Sequence, residues 1–283
     1  MELGIHLPLM EFGDEGLSLA RLTRAVDAAR ECGFAAVSAN DHFLFGTPWL
    51  DGPTALAAVA ERSASMELAT TVALVSLRGP VQLAKAIAAL DVLSEGRVIA
   101  GVGPGSSERD YDAVGVPFDE RWERFEDSVM RLRELLGRDS PLSPAPTRAE
   151  GVPIWLASWG SRAGMRRVGR LGDGWLASAY NTTPEAFATA RESLPAGFPN
   201  ALVTMWTWIT PRAEDADRVV REVLGPLLRR DPDTLRDQLC VGSAQQCAEL
   251  LSRYAEAGCE RVHLWPLGDE PRQVELAAGL TGK

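Results

Sequence analysis

One of only three histidines in this 283-residue chain, His42, lies in the run Asn40-Asp41-His42-Phe43. An imidazole is the side chain that gains and loses a proton near neutral pH, so a histidine in a polar run is a candidate acid or base. Asp41 beside it offers either a hydrogen-bond acceptor for a ligand or a charge that orients the ring. A histidine that caps a helix or packs on Phe43 is the plainer alternative. His6 and His263 fall in apolar runs, where alternation turns a side chain to either face of a strand, and a structural role is expected for both. A metal site fits badly, because His6-Leu7-Pro8 is not an H-x-H pair and no later histidine sits in a ligand-like setting.

Two further segments carry chemistry. Ala157-Ser158-Trp159-Gly160-Ser161-Arg162 leads from an apolar run straight into a helical pattern. Backbone N–H groups at the helix start, the hydroxyls of Ser158 and Ser161 and the Arg162 guanidinium would together suit a phosphate. An ordinary serine-capped helix is the competing reading. Asp91–Gly105 joins a helix end, a tight turn, a buried strand and an exit with Gly101, Gly103 and Gly105. Glycines there remove side-chain bulk and expose backbone N–H groups, which suits close approach of a flat or anionic ligand. Trp49, Trp159 and Trp265 fall at or just beyond strand ends and imply an aromatic pocket, while Trp206 and Trp208 share one face of a strand and at least one belongs to the core.

Positioning these residues requires a scaffold that brings strand ends together. Eight apolar runs, near Leu3–Leu7, Ala35–Ala39, Leu68–Leu74, Val98–Val102, Pro153–Ala157, Gly174–Ala177, Ala201–Ile209 and Arg261–Trp265, alternate with helical patterns. The helices are expected at Ser18–Cys32, Pro53–Ser63, Pro80–Leu93, Asp119–Leu136, Ser161–Leu171, Pro184–Ser193, Asp215–Arg230, Ala244–Ala257 and Pro271–Leu280. Alternation of this kind argues for a parallel sheet, and eight units with this length argue for a single (β/α)8 TIM barrel domain spanning residues 1–283. Such barrels place chemistry on the loops after strands. Asn40–Gly52 after strand two and Gly103–Phe118 after strand four are long for such loops and are expected to cover the pocket. Gly137–Gly151 follows a helix and belongs to the opposite, stabilising face.

Composition narrows the function. A net charge of −10 without a basic run argues against a nucleic-acid partner. No apolar stretch approaches the roughly 20 residues that cross a bilayer, and the first ten residues are too short and acidic for a signal peptide. Four cysteines without C-x-x-C spacing read as reduced, packed thiols. A cytoplasmic protein is expected.

On Asn40-Asp-His-Phe43, Leu77-Arg-Gly-Pro80 through Gln82-Leu-Ala-Lys85, Leu90–Arg97, Gly101-Val-Gly-Pro-Gly105, Phe118-Asp-Glu-Arg121, Gly169–Trp175 and Val241-Gly-Ser243, the chain resembles the bacterial luciferase-like flavin and deazaflavin oxidoreductases over nearly its whole length. The resemblance implies a reduced flavin, either FMN or the deazaflavin coenzyme F420, laid across the strand ends. Its phosphate would rest on Ser158, Trp159, Gly160, Ser161 and Arg162. Its ring would lie near Asp41 and His42, the pair Thr71-Val72, where relatives carry a non-prolyl cis peptide, and Gly103, Gly105 and Ser106. His42 matches the catalytic base of the sugar-phosphate dehydrogenase branch, with Asp41 as its companion. Ser106 stands where that branch has a glutamate, which puts sugar-phosphate oxidation in doubt.

The Asn-Asp-His-Phe run and the short Ser-Trp-Gly-Ser-Arg loop favour F420, and with it hydride transfer to or from a small organic substrate. The alternative is an FMN-dependent monooxygenase, with a flavin reductase as partner. A homodimer through the helix layer is a further implication. A metal-dependent barrel hydrolase and a flavin-binding barrel without catalysis are more distant alternatives.

Overall fold

The computed structural model describes residues 1–12 and 15–281. Eight parallel strands form its centre: β1 (Glu2–His6), β2 (Ala36–Ala39), β3 (Glu67–Thr70), β4 (Val98–Gly103), β5 (Ile154–Ala157), β6 (Gly174–Ser178), β7 (Asn200–Ile209) and β8 (Arg261–Pro266). Each pairs with the next, and β8 pairs with both β7 and β1, so the ring closes as the expected (β/α)8 barrel. All six residues of β4 are buried, as its unbroken apolar run requires when helices cover one side and the lumen lies on the other.

The surrounding helices begin where short polar side chains can satisfy free backbone N–H groups. Ser18, Asp51, Ser161 and Thr183 each accept a backbone N–H from the first turn of the helix that follows. Ser243 and Gln246 form a reciprocal capping box. The expected helix Pro80–Leu93 is present as such.

Two departures from the sequence pattern shape the active face. The run Leu68–Leu74 is not one strand: β3 stops at Thr70, the Thr71–Val72 peptide is cis, and pairing resumes at Ala73–Leu74 against Val102 and Gly103. The segment Asp215–Arg230 is not one helix either. An α-helix at Ala213–Arg218 passes into a π-helical stretch at Val219–Leu224, and a short helix, Gly225–Leu228, follows. Pro226 has no N–H to return to the preceding turn, and Gly225 donates instead to Val220, five residues back. The Gly137–Gly151 connection lies at the N-terminal ends of the strands, where Thr147 N–H donates to Asp91 at 2.7 Å and Arg148 donates to the Gly96 carbonyl.

The lumen is filled by aromatic rings. His6 stacks on Trp265 with centroids 3.6 Å apart, and Trp265 stacks on Trp206 at 3.8 Å. His6 Nδ1 donates to the Leu7 carbonyl and its Nε2 accepts the Asn40 N–H, so both ring nitrogens are used by backbone. Burial holds the His6 pKa down to about 3, against the weaker upward pull of those bonds, so the ring is neutral. His263, the other lumen histidine, is also held well below its ordinary value by burial.

The first and last helices, Leu19–Glu31 and Glu270–Ala278, are joined by an ion pair that water does not reach. Arg21 and Glu270 side chains are 2% and 1% exposed and meet at 2.6 Å, and Arg21 also donates to the Met10 carbonyl at 3.0 Å. Removing one partner of such a pair strands the other charge. Glu270→Leu is expected to lower unfolding free energy by about 3–5 kcal/mol in a urea titration. Combining it with Arg21→Met should recover part of that loss, with the Met10 carbonyl still unpaired.

Candidate functional site

His42 leaves the end of β2 and lines a cleft of about 1450 Å³ at the C-terminal face of the barrel. Its Nδ1 lies 2.9 Å from Oδ2 of Asp110, whose side chain is 2% exposed. The other Asp110 oxygen accepts the N–H groups of Phe43 and Leu44 at 3.1 and 2.8 Å. Burial pushes the Asp110 carboxyl up, but the bonds from His42, Leu44 and Phe43 outweigh it and hold the group below its ordinary 3.8. An ionised carboxylate only accepts, so Nδ1 donates its N–H to Asp110. Nε2 has no hydrogen-bond partner among the described residues. Phe45 and Trp49 pack around the ring at 4.7 and 4.9 Å.

The residue that orients His42 is therefore Asp110 and not Asp41. Asp41 is buried, and both its oxygens are taken up by Arg78, at 2.5 Å to Nε and 2.7 Å to Nη2, with the Leu74 N–H at 3.2 Å. Arg78 also pairs with Asp51 at the start of the helix Gly52–Val59. Asp41 thus anchors the β2 exit to the irregular end of β3 and is not among the residues that line the cleft.

Thr71, Val72, Gly103 and Gly105 come together as a shelf at the ends of β3 and β4. A Cβ at Gly103 would meet Val72 Cγ2 at 2.7 Å and Ala157 at 3.4 Å, so only glycine lets Val72 pack this close to the end of β4. Gly105 has φ +80, open to glycine, with Leu74 3.0 Å from where its Cβ would be. Thr71 Oγ1 is buried and unpaired among the described residues.

Beyond the shelf, the loop after β5 turns into the helix Arg162–Leu171. Ser158 Oγ accepts the Gly160 N–H at 3.2 Å, Gly160 has φ +86, and Ser161 caps the helix. Trp159 is 54% exposed, and Arg162 is exposed without an ion-pair partner among the described residues. This loop borders the shelf side and is not part of the main cleft wall, which takes in His42 and Ser106 among the anticipated residues.

The two long loops line the cleft as expected, through residues such as Phe45 and Trp49 on one side and Ser106 and Phe118 on the other. A third wall, from Arg218 to Arg229 across the π-helical stretch and the short helix after it, was not foreseen. Nor was Asp110. Its signal was the Ser107-x-x-Asp110 spacing of a helix start, which does cap the helix Glu108–Ala113 through Ser107, while the Asp110 side chain is diverted to His42. Thr204 also borders the cleft, at φ +58, a region that β-branched residues rarely enter, and its hydroxyl lies 3.0 Å from that of Ser178.

The profile of the family described as luciferase-like monooxygenase matches residues 1–205. The chain belongs to the luciferase-like monooxygenase family. Within it, the chain is 32% identical over 175 residues to an F420-dependent glucose-6-phosphate dehydrogenase of Amycolatopsis mediterranei (strain U-32), covering 53% of this chain and 51% of that protein. It is 30% identical over 182 residues to a 4-hydroxyprotoasukamycin monooxygenase of Streptomyces nodosus subsp. asukaensis, covering 58% and 49%. The chain spans about half the length of these curated relatives. An F420-dependent secondary alcohol dehydrogenase in complex with an F420-acetone adduct superposes with a TM-score of 0.82 at 17% identity, over 99% of this chain and 97% of that one, which places the two in one fold.

A flavin or deazaflavin ring fits the luciferase-like site as it stands here. Glycine at 103 and 105 lets Val72 and Leu74 close directly onto the end of β4, leaving a flat strand end there, and Thr71 Oγ1 beside it is buried without a hydrogen-bond partner among the described residues. Among the described residues no cluster of three or more potential ligands for a metal ion is present.

The depressed Asp110 pKa carries a pH signature. A carboxyl whose folded pKa lies below its unfolded one adds stability that is present above the unfolded value, here about 3.8, and is lost as pH falls through the folded value. The stability difference between wild type and Asp110→Asn, from urea unfolding at a series of pH values, is expected to be constant above about pH 5 and to shrink below pH 4.

Proposed function

We propose that this protein transfers a hydride between F420 and the carbinol or carbonyl carbon of an organic substrate, with His42 moving the accompanying proton. The observation that carries this reading is the His42–Asp110 pair, an imidazole in the cleft with Nδ1 held by a buried carboxylate and Nε2 without a hydrogen-bond partner among the described residues. When bound, the deazaflavin supplies a two-electron carrier that accepts or returns hydride. The chain does the rest. The Gly103–Gly105 shelf and Val72 orient the ring, and Ser158 to Arg162 hold the phosphate at a helix N-terminus. Phe45 and Trp49 exclude water around His42.

As the C–H hydride leaves an alcohol, the O–H proton passes to His42 Nε2, and Asp110 stabilises the imidazolium that forms. In the reverse direction His42 returns that proton to the carbonyl oxygen. Ser106 has no carboxylate to share this task, which argues against simple transfer of the sugar-phosphate branch's chemistry.

FMN-dependent oxygen insertion, served by a flavin reductase, is the second reading, supported by the monooxygenase among the relatives. An oriented, titratable base is a requirement of alcohol–ketone hydride transfer more than of flavin oxygenation, and on that ground hydride transfer comes first. The same reading includes a homodimer through the helix layer and a cytoplasmic location. The location is supported by four free cysteines and by the lack, among the described residues, of a helix long and apolar enough to cross a membrane.

Side-by-side titration with F420 and FMN, oxidised and reduced, tests the cofactor. Tighter binding of F420 supports hydride transfer, and selective FMN binding would replace it with oxygenation. With the preferred cofactor and any turned-over alcohol, His42→Asn is expected to cut turnover by about 10²–10⁴-fold while cofactor affinity stays within threefold. Asp110→Asn places an amide N–H against Nδ1, moves the ring proton to Nε2 and should produce a comparable loss. Unchanged turnover in both variants would remove the pair from the mechanism.

A further inference from the structure

Asn40 stands two residues before His42, and its backbone is held on both sides. Its N–H donates to His6 Nε2 at 3.0 Å, and its carbonyl lies against Gly52, where a Cβ would come within 2.2 Å of the oxygen. The side chain is held by nothing comparable. Its carboxamide makes no hydrogen bond among the described residues, and Oδ1 is buried without a partner. Oδ1 being the buried end, Nδ2 is the end left for the cleft, which Asn40 and His42 both line while Asp41 between them does not. The opposite setting of the amide would bury two unpaired N–H donors in place of one acceptor.

We infer that Asn40 Nδ2 donates a hydrogen bond to the substrate oxygen that exchanges its proton with His42, which makes Asn40 a second catalytic group of the site. The inference rests on the hydride-transfer reading. Three features support it. An amide with a buried, unpaired oxygen destabilises a fold where an apolar side chain of the same branching would not, so the fold alone gives no reason for an asparagine here. Residues 40 and 42 open on one cleft from one strand exit, the two-residue repeat that puts alternate side chains on one face. The two groups also divide the work, because His42 takes up a proton whereas a carboxamide N–H donates a hydrogen bond and keeps its proton. As an alcohol C–H bond gives up its hydride to the bound deazaflavin, the O–H proton passes to His42 and the C–O bond becomes C=O. Negative charge that gathers on the oxygen during this step is met by the Asn40 N–H. In reverse, the same N–H polarises the carbonyl before hydride arrives at its carbon, and His42 returns the proton to the oxygen.

Asn40→Leu removes the donor while keeping the branching of the side chain, and Asn40→Asp keeps the shape but replaces the donor with acceptors. Each full-length variant is compared with wild type by urea unfolding of the cofactor-free chain, by F420 titration, and by oxidation of 2-propanol, cyclohexanol and 1-phenylethanol with F420. Asn40→Leu is expected to unfold at an unchanged or higher urea concentration, since it deletes an unpaired polar group. Its F420 affinity should stay within about threefold, while kcat for the best alcohol falls by about 10²–10³-fold with KM nearly unchanged, the mark of an interaction made in the transition state. Asn40→Asp should lose at least as much, because a carboxylate repels the charge that the amide N–H would meet. Asn40→Ala, which needs no additional room, takes the place of Asn40→Leu if that variant does not fold.

Turnover close to wild type in Asn40→Leu and Asn40→Asp would overturn the inference while leaving the hydride-transfer reading intact. A loss of turnover matched by an equal loss of F420 affinity would overturn it too, by assigning the amide to the cofactor. Failure of the wild type to bind F420, or to oxidise any of the three alcohols, would overturn that reading and the role of Asn40 with it.

Discussion

A buried carboxylate must be matched by a cation or by N–H donors, and the match made by Asp41 organises the active face. Arg78 supplies two donors and Leu74 a third, so the end of β2 is fastened to the stretch just after the Thr71–Val72 irregularity in β3. Arg78 also reaches Asp51, which caps the next helix, so a single guanidinium ties three segments. With Asp41 turned inward and committed, the next side chain, His42, points into the cleft. The adjacent polar pair is two functions in series, one holding the frame and one presented to a ligand.

His42 needs its own partner, and that partner comes from 68 residues further along. Asp110 binds the imidazole with one oxygen and the backbone of Phe43 and Leu44 with the other, so it sets the ring and the loop that carries it together. The lumen provides a parallel constraint from beneath. His6 accepts the Asn40 N–H and stacks on Trp265, which fixes the β2 exit to the aromatic fill of the barrel. The floor of the cleft and the position of its base are therefore parts of one packed unit, which is the rigidity a site of fixed geometry requires.

Local pattern made the barrel legible. Apolar runs, capping serines and turn glycines are written within a few residues of each other, and strands and helices follow from them. The glycine shelf and the β5 loop were legible for the same reason, since backbone conformation and helix starts are local properties. Asp110 was not, because nothing near it in sequence says that its carboxylate turns toward a histidine two strands away, and its capping-box spacing points to a purely local role. Asp41 misled in the opposite way. Adjacency to His42 suggested cooperation, but successive residues leaving a strand face opposite sides. The broken helix at Val219 was hidden by a continuous amphipathic pattern, with Gly225-Pro226 as the cue that the ladder must shift.

The division between what the family match covers and what it leaves out has a physical meaning. The match ends at Met205, one residue before Trp206, and includes the shelf, His42, Asp110 and the β5 loop. Trp206, Trp208, Trp265 and the wall from Arg218 to Arg229 lie beyond it. On the reading proposed above, the first set would meet groups that any flavin or deazaflavin shares, a flat ring and a phosphate. The cleft beside them is lined from both sides of that boundary, by His42, Phe45, Trp49, Ser106 and Phe118 before it and by Trp208 and the wall after β7 beyond it. Under that reading, a scaffold of this kind can keep one hydride or oxygen chemistry while the segment after β7, which forms one wall of the cleft, changes what is brought to it. The His42–Asp110 pair, fixed from β2 and β4, would then be the point at which a variable substrate meets the shared chemistry.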